Sequence, residues 1–553
     1  MVKASFRAAV VQTLAVLGDI EHNINLVRHY TQEAVRQGAK LVVFPECMNT
    51  GYLFDSAQHC ADLAETLSGI YVSAIADLCC RYEIYIASGI TEKDISNGKI
   101  YNSGVLLDPQ GKVILHYQKQ FLATHDQNWF EVGNKGCPVV DTELGRVGLL
   151  ICFDGRIPEI ARCLALQKAE ILIDMANFFV MDRAEMWLPA RAYENGVWIV
   201  AATKAGVERS IYYPGGSSIV APTGHVMAQI PYDTHGVATA EIRLDACQLH
   251  RNLSDRRPDT YQILRKPFAK TPLAPLLQQP LVPEQAIAKV AAVQSHAISE
   301  PASLEAAFEM IGHAAKLGAK LIALPQHFNV PTWSPNHEEA KAASLQAFKH
   351  LQQAAKITKS YGCALILPLI EQVADALIPT AVLVGVEGEV IGRYHQVHLE
   401  PEIRAWAKPG NSFPVFETPF GRIGIILGYD GYFPESTRAL ALNGVDIIAW
   451  CCAWQHPFER ELLAVPKAVD NRVYLICANR TDCPYPGGSF VISPEGFDPW
   501  DVKLAAPPVK RHGAVMPMHV NLALSRQKQM IPKVDMLRNR LVDTFEPLVS
   551  SSF

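Results

Sequence analysis

The sequence predicts an α/β protein made of two tandem domains of one fold, each an α-β-β-α sandwich with helices outside and sheets inside. Two observations predict this fold class: short apolar runs alternate with longer amphipathic stretches, and the sequence repeats itself. Of the 553 residues, 49% are hydrophobic and 19% are charged. That balance is typical of large buried cores and excludes a disordered or collagen-like chain.

Within each copy, apolar runs predict buried strands and a helical period predicts the covering helices. In the first copy the strand candidates are FRAAVVQ, KLVVFPE, IYIASGI and RVGLLICF. The stretch NINLVRHYTQEAVRQG places apolar residues on one helical face: Ile24, Val27, Tyr30, Ala34 and Val35. DPQGKVI and APTGHVM carry Pro and Gly at their centres and predict hairpin turns.

The repeat consists of three blocks that keep their order along the chain. GAKLVVFPE, GRVGLLICFDGRIPE and YPGGSSIVAPTG match GAKLIALPQ, GRIGIILGYDGYFPE and YPGGSFVISPEG, at offsets of 280, 276 and 272 residues. Changes in loop length explain so small a drift. We therefore expect one domain over residues 1–265 and another over residues 287–553. The connector, residues 266–286, has five prolines and is expected to be extended and semi-rigid.

Composition also limits the partners and the compartment. A net charge of -5 and a pI near 6.4 give no basic excess for binding nucleic acid. Arg7 precedes any apolar run, so we expect no signal peptide, and no run approaches the roughly 18 apolar residues of a membrane span. The 13 cysteines form no CxxC pair, which predicts a reduced, cytoplasmic protein without a zinc site. The adjacent pairs Cys79-Cys80 and Cys451-Cys452 are expected to point to opposite sides of their elements.

Cys152 lies in GLLICFDGRIPE, between an apolar run and a helix that Pro158 opens. At such a position we expect an exposed thiol. Backbone N–H groups and the helix dipole point towards it, which lowers its pKa and makes it nucleophilic. A buried structural cysteine is the alternative.

Two further residues carry related chemistry. Glu46 closes the apolar run LVVFPE, where burial can hold a carboxylate near neutral pKa as a general base. Lys119 follows a predicted hairpin between aromatic and apolar residues, where an ammonium can stabilise an oxyanion. A solvated loop carboxylate and a surface lysine are the alternatives.

The order of motifs resembles that of the nitrilase superfamily of carbon–nitrogen hydrolases. The motifs are FPE with TGY, then YxKxxL, CxDGRxPE, ARAYEN and GGSSIVAPTG, and the resemblance covers residues 5–265 and again 287–548. It implies the αββα sandwich, an amide-type small-molecule substrate, and a mechanism without metal or cofactor. In that mechanism Glu46 is the general base, Lys119 stabilises the oxyanion and Cys152 is the nucleophile.

The same resemblance implies a second carboxylate seven residues before a glycine. Counting back from Gly133 gives Asp126, which would position Lys119, and Glu131 is the candidate if the loop is shifted. By family position the pocket residues are Tyr52, Trp129, Phe153, Arg156, Asn177 and Phe178, with the Phe153 N–H offered to the oxyanion.

Arg156 has two interpretations. It either binds a substrate carboxylate in a bidentate pair, or it is a structural residue tied to Glu159 or Asp154. The sequence does not decide between them.

The second copy has lost the reactive groups. The offsets place Gln326 opposite Glu46, Gln396 opposite Lys119 and Gly428 opposite Cys152. We therefore expect a pseudoenzyme domain that packs against the first as an intramolecular pseudodimer, with further self-association left open. Relocation of the nucleophile to Cys451 or Cys452 is the alternative.

The expected activity is hydrolysis of an amide or N-carbamoyl group through a thioester, at one site per chain. Members that act on nitriles place Trp-Glu after the cysteine, whereas Phe153-Asp154 follows here and resembles amidases and carbamoylases. A nitrilase, an acyltransferase to an amine, and a non-catalytic scaffold or binding protein are the alternatives.

Overall fold

The computed structural model describes residues 5–248, 252–280, 287–295, 301–496 and 513–550. These residues form two compact units. The first contains the described residues of Met1–Ser254, Ile531–Asp535 and Asn539–Phe553, and the second those of Asp255–Met530 and Met536–Arg538. Each unit therefore includes a segment that belongs, along the chain, to the other repeat.

Unit 1 contains two six-stranded sheets that pack face to face. The first has the spatial order Gly236–Arg243, Ser5–Gln12, Leu41–Val43, Tyr85–Lys93, Ile100–Leu107 and Val113–Gln118. The second has the order Val226–Gln229, Ser218–Val220, Trp198–Thr203, Ile171–Ala176, Gly145–Ile151 and Val139–Thr142. In each sheet three neighbouring strands are parallel. A two-stranded ladder joins Ala205–Glu208 to Ile211–Pro214.

Helices cover the outer faces, which gives the predicted α-β-β-α sandwich. Ile20–Arg36 and Ile70–Tyr82 pack on the first sheet, and Pro158–Leu166 and Leu188–Asn195 on the second. The unit also contains the helices Ala57–Leu63 and Glu546–Val549.

The first helix shows why these elements form. Asp19 caps it by accepting a hydrogen bond from the His22 N–H, and Ile24, Val27 and Ala34 recur on its buried face. They pack into the core of the first sheet. Each fully buried large apolar side chain contributes about 1.5–3 kcal/mol, which far exceeds the helix propensity of one residue.

Unit 2 repeats the arrangement. One sheet has the order Val390–His395, Ala376–Val384, Ala364–Val373, Leu321–Ala323, Ile287–Gln294 and Ala514–Asn521. The other, over the described residues, has the order Val415–Thr418, Gly421–Leu427, Ile447–Cys452, Tyr474–Asn479 and Phe490–Ile492. Its helices are Leu273–Leu276, Pro301–Lys316, His337–Tyr361, Pro434–Leu442, Val465–Asn471 and Leu522–Arg526. Along the chain the short strand Gln529–Ile531 follows, and the next short strand, Val534–Asp535, belongs to unit 1.

The four strands, the first helix and the two hairpins predicted in the first copy are confirmed. The prediction of an extended connector was wrong for its described part, since Phe268–Lys270 and Leu273–Leu276 are helical turns. Leu273 is buried in unit 2 against Ala441 and Leu442. Burial of these apolar residues outweighs the proline spacing, and proline is tolerated in a first helical turn. Residues 281–286 lie outside the described part.

The two pairs of adjacent cysteines differ in burial. Cys79 is buried and Cys80 is exposed on one helix, while Cys451 and Cys452 are both buried at the end of a central strand. Among the described helices, none combines the length and the apolar character that crossing a membrane requires.

Candidate active site

Three charged side chains meet between the sheets of unit 1. Glu46 follows the strand Leu41–Val43, and Lys119 follows the strand Val113–Gln118. Nζ of Lys119 lies 2.8 Å from Oε1 of Glu46 and 2.7 Å from Oδ2 of Asp126. Each of the three residues is at most 1% exposed. The structure thus brings the predicted base, cation and second carboxylate into one ion triad.

The triad keeps Lys119 charged. Burial by itself lowers the pKa of Lys119, but the negative charges of Asp126 and Glu46 outweigh it and hold that pKa well above its usual range. A negative charge on Cys152 would act on the pKa of Lys119 in the same direction. Oε2 of Glu46 has no hydrogen-bond partner among the described residues. One carboxylate oxygen therefore holds Lys119 while the other remains available for a proton.

Neutral groups fix the two carboxylates. Nδ2 of Asn102 donates a 2.6 Å hydrogen bond to Oε1 of Glu46 and lies 3.5 Å from Oδ1 of Asp126. The hydroxyl of Tyr52 donates to the same Asp126 oxygen at 2.7 Å. Gly89 allows the next strand to pass close by, since a Cβ there would lie 2.5 Å from Cα of Glu46. These contacts set the position of both acids.

Cys152 begins a 3₁₀ turn, Cys152–Arg156, directly after a parallel strand. Its φ of +53° is a left-handed conformation that non-glycine residues seldom adopt, and such strain is concentrated at functional sites. Its N–H donates a 2.8 Å hydrogen bond to Oδ1 of Asp174 on the neighbouring strand. Its Sγ lies 3.7 Å from the carbonyl oxygen of Asn177.

The expectation of an exposed thiol was wrong, because Cys152 is only 3% exposed. All five residues of the turn that carries it are buried, and the turn packs against the helix Pro158–Leu166 and the strand Ile171–Ala176. The Glu46–Lys119 pair is equally buried. A reaction at this thiol therefore takes place in a site from which bulk water is largely excluded.

Asp154 ties the cysteine turn to the strand that precedes Lys119. It accepts hydrogen bonds from the Tyr117 hydroxyl and the Phe121 N–H, each at 2.8 Å. Burial raises the pKa of this carboxyl to about 6, against the opposing effects of Lys119 and of these hydrogen bonds. Through these hydrogen bonds, Asp154 holds the cysteine turn against the backbone on both sides of Lys119.

An aromatic group borders the triad. Tyr52 packs edge-on against Trp129 with ring centroids 5.4 Å apart, and Phe179 lies 6.3 Å from Tyr52. Phe179 also packs 5.3 Å from Tyr213, whose buried hydroxyl has no partner among the described residues. The predicted Phe178 is buried, with its N–H bound to Thr203, while its neighbour Phe179 makes the contact with Tyr52.

The other predicted pocket residues are close to Cys152 in sequence or in space. Phe153 stacks on Phe121 with centroids 5.5 Å apart. The side-chain amide of Asn177 is buried without a hydrogen-bond partner among the described residues, although its backbone carbonyl contacts Cys152. Such an unsatisfied buried amide costs about 1–3 kcal/mol, which a bound polar ligand can recover.

Arg156 forms an ion pair with Asp182, and its guanidinium lies 4.1 Å from the centroid of the Trp187 ring. Asp182 is a partner that the sequence did not suggest. Glu131, the competing candidate for the second carboxylate, is exposed and pairs with Lys99 at 3.1 Å, so the shifted-loop alternative has no support in the geometry.

Sequence reasoning missed Asn102, Asp174 and Tyr213. For two of them the repeat contained a signal. The N–H of Lys119 donates to the Asn102 carbonyl, and the N–H of Gln396 donates to the Pro379 carbonyl. The second copy therefore has a proline at the position of Asn102. An offset of 276 places Trp450 opposite Asp174. Polar groups lost together with the reactive ones were therefore detectable.

In unit 2 the matching positions take part in a hydrogen-bond network without an ammonium group. Nε2 of Gln326 and Nε2 of Gln396 each donate to the carboxylate of Glu400, at 2.9 Å. The N–H of Tyr429 donates to the same carboxylate at 3.1 Å. Gly428 retains a positive φ of +37°, so the turn is preserved although the thiol is absent.

The position that matches Asp126 also lacks its carboxylate in unit 2. The N–H of Gly133 donates to the Lys119 carbonyl, and the N–H of Gly410 donates to the Gln396 carbonyl in the same way. The offset in this loop is therefore 277, which places Ile403 opposite Asp126. Glu400, at the position of Ala123, supplies the one carboxylate of the network. Burial raises its pKa to about 7.

The Carbon-nitrogen hydrolase family profile matches residues 7–252 and 289–497, most of the chain. The chain belongs to this family. Two matched regions agree with the tandem organisation predicted from the repeat. Among the described residues, no group of three or more His, Cys, Asp or Glu side chains is arranged to hold a metal ion.

Each of the following relatives aligns with slightly less than half of the chain. A nitrilase of Pyrococcus abyssi is 34% identical over 262 residues, 46% of this chain and 98% of that protein. An omega-amidase of Bos taurus is 29% identical over 280 residues, 48% of this chain and 99% of that protein. A solved amidase from Nesterenkonia sp. covers 45% of this chain and 95% of its own, with 25% identity and a TM-score of 0.40.

Proposed function

We propose that this family member is an amidase-type hydrolase with one active site per chain and Cys152 as its nucleophile. The observation that carries the proposal is the buried triad in which Lys119 binds both Glu46 and Asp126. A cation held between two acids, beside a strained cysteine turn, supplies a base, an oxyanion partner and a nucleophile together.

In the first stage, the free oxygen of Glu46 takes the thiol proton while Sγ of Cys152 attacks the amide carbon. The ammonium of Lys119 and the Phe153 N–H stabilise the resulting oxyanion. Collapse of the tetrahedral intermediate breaks the C–N bond. Glu46 returns the proton to the departing nitrogen, and ammonia leaves a thioester on the enzyme.

In the second stage, Glu46 accepts a proton from water, which attacks the thioester carbon. The C–S bond then breaks, the carboxylic acid is released and the thiol regains its proton. Asp126 acts on Lys119 and touches no reacting atom, so it is a positioning residue. Each proton passes through one carboxylate oxygen, and the whole cycle requires no metal or cofactor.

The second domain is assigned to a non-catalytic role. A glutamine cannot accept a proton at neutral pH and a glycine cannot form a thioester, so Gln326 and Gly428 cannot run this chemistry. Cys451 is a poor substitute, because burial raises the pKa of its thiol far above its usual range. Burial and the nearby Cys477 raise the pKa of Cys452 likewise.

The decisive experiment compares cysteine variants of the full chain on a panel of primary amides, N-carbamoyl amino acids and nitriles, with released ammonia as the readout. We expect Cys152→Ala to lower kcat by about 10³-fold or more, whereas the double variant Cys451→Ala, Cys452→Ala retains activity. Residual turnover in Cys152→Ala at the level of the double variant would refute the single-site proposal.

The panel also separates the substrate classes and the alternative of a scaffold. Turnover of amides without turnover of nitriles supports the amidase assignment. Adding hydroxylamine distinguishes hydrolysis from acyl transfer, because the same thioester yields hydroxamate when an amine intercepts it and free acid when water does. A non-catalytic protein would show no turnover and a Cys152 no more reactive towards iodoacetamide than the other 12 thiols.

Arg156 provides the test for a carboxylated substrate. Its pairing with Asp182 favours a structural role. In that case Arg156→Lys should lower kcat/KM by a similar factor for all substrates. If Arg156 instead binds a substrate carboxylate, the variant should raise KM about tenfold or more for amides that carry a carboxylate and leave neutral amides unchanged.

A further inference from the structure

The C-terminal part of the chain lies in the catalytic unit, although along the sequence it belongs to the second repeat. Ile531–Asp535 and the described residues from Asn539 to Ser550 cluster with unit 1. Their contacts fall on the elements that carry the catalytic residues, and they include hydrogen bonds and an ion pair as well as helix packing.

The first contact reaches the helix that follows the nucleophile. NH1 of Arg540 lies 3.3 Å from Oε1 of Glu159, and both side chains are at most 3% exposed. Glu159 is in the first turn of Pro158–Leu166, directly after the turn that begins with Cys152. The helix Glu546–Val549 packs on the same helix. The segment is thus anchored beside the nucleophile.

The second contact reaches the lysine. The hydroxyl of Thr544 donates a 2.9 Å hydrogen bond to Oε1 of Gln120, the residue after Lys119. Gln120 is 3% exposed and its Nε2 donates to the Gly136 carbonyl at 2.7 Å. Its side chain therefore lies in a fixed position between the segment and the loop after Lys119.

The third contact reaches the loop of the second carboxylate. Nζ of Lys533 donates to Oδ1 of Asn128 at 2.9 Å, and the Lys533 carbonyl accepts from Nε2 of Gln127 at 2.8 Å. Gln127 and Asn128 belong to the turn that Asp126 begins. One short stretch of chain therefore contacts the neighbours of Cys152, Lys119 and Asp126.

Comparison with unit 2 shows which of these contacts both units share and which occur in unit 1 alone. Arg256 pairs there with Glu435 at 2.7 Å, and Glu435 stands opposite Glu159, so the buried Arg–Glu pair belongs to the fold. The offset of 277 places Val397 opposite Gln120 and Ala405 opposite Asn128, and neither side chain can make the polar contact. The Thr544 and Lys533 contacts are thus specific to the catalytic unit.

We propose that residues 531–535 and 539–550 are a positioning element of the active site, with Arg540 anchoring it and Thr544 and Lys533 fixing the Lys119 and Asp126 loops. This inference rests on the proposed function of Lys119 and Asp126. It gives the second repeat a concrete contribution to catalysis: its C-terminal part completes the support of the first repeat's active site.

The test uses the full chain and the double variant Thr544→Val, Lys533→Met, which leaves the buried Arg540 anchor in place. We expect kcat to fall about three- to tenfold on the best amide with KM changed less than twofold, because the loops hold catalytic groups. Asp543→Asn, an exposed neighbour, is the matched control. Thr544→Ser combined with Lys533→Arg restores the hydrogen-bonding groups and should restore kcat.

A second readout is independent of turnover. The rate of Cys152 alkylation by iodoacetamide, followed by mass spectrometry against pH, reports how well Lys119 supports the thiolate. The double variant should shift this profile to higher pH, and the rescue pair should return it. Unchanged kcat and an unchanged alkylation profile overturn the inference. A shifted profile in a protein without amide turnover would keep it while refuting the proposed function.

Discussion

The side chain of Gln326 occupies the space that a side chain at position 428 would require: a Cβ built on Gly428 would collide with Oε1 of Gln326 and with Oε1 of Glu400. In unit 1 the matching position holds the thiol of Cys152. The second site therefore not only lacks this thiol but has other side chains packed in its place. The absence of the thiol and the presence of a hydrogen-bond network go together here.

We predict that a cysteine introduced at position 428 does not by itself give the second domain hydrolytic activity. Gly428→Cys in a Cys152→Ala background should give no ammonia release, because the thiol would meet Gln326 and Glu400 without a lysine to stabilise the oxyanion. For stability, Gly428→Ala should lower the free energy of unfolding by about 1–3 kcal/mol through overpacking. Gly98→Ala is the matched control, since Gly98 has a φ of +71° and nothing within 4 Å. Equal effects in urea titrations would contradict the repacked site.

Glu400 should make the stability of the protein depend on pH. Burial raises its folded-state pKa from 4.5 to about 7, so the folded state binds an extra proton between those values. The stability gained is present below about pH 4.5 and is lost as pH rises through 7. Glu400→Gln should flatten the fall in urea midpoint between pH 5 and pH 8, while exposed Glu387→Gln should not. Identical slopes for all three proteins would refute this.

Asn102 should prove to be a positioning residue for Glu46 and Asp126. Asn102→Leu removes a 2.6 Å hydrogen bond to a buried carboxylate, an interaction of about 1.5–3 kcal/mol. We expect kcat/KM to fall about 10- to 100-fold, with the pH dependence of kcat displaced because the base is less well held. Asn97→Ala, in an exposed turn, is the control. A variant with unchanged pH dependence would assign Asn102 a purely structural role.

The buried pair of Lys204 and Glu208 should be strongly coupled. Nζ of Lys204 lies 2.6 Å from Oε2 of Glu208, whose other oxygen accepts the Tyr52 N–H at 2.8 Å. Removing one partner leaves a buried charge, so Glu208→Leu and Lys204→Met should each destabilise the protein by about 3–5 kcal/mol. The double variant should recover part of that loss in a double-mutant cycle measured by urea unfolding. Strict additivity of the two losses would contradict the coupling.

Part of the site could be predicted from the sequence, because local hydrophobic patterns and the comparison of the two repeats indicated it. Glu46, Lys119 and Cys152 each follow a strand whose apolar run is readable, and their loss in the second copy marked them as a group. Asn102 escaped notice because its role depends on a contact across 56 residues. The burial of Cys152 escaped notice because a turn after a strand is exposed or covered according to what packs over it.

The sequence by itself determined the fold class, the tandem organisation, the strands and hairpins of the first copy and the family. The fold class and its elements depend on periodicity, turn chemistry and internal comparison, and the family on the resemblance of its motifs. Only the tertiary structure decided that Gln326 and Glu400 pack around Gly428 and that Arg540 pairs with Glu159, 381 residues away. Such contacts arise when separate elements pack, and no pattern along the chain specifies which side chains then share one space.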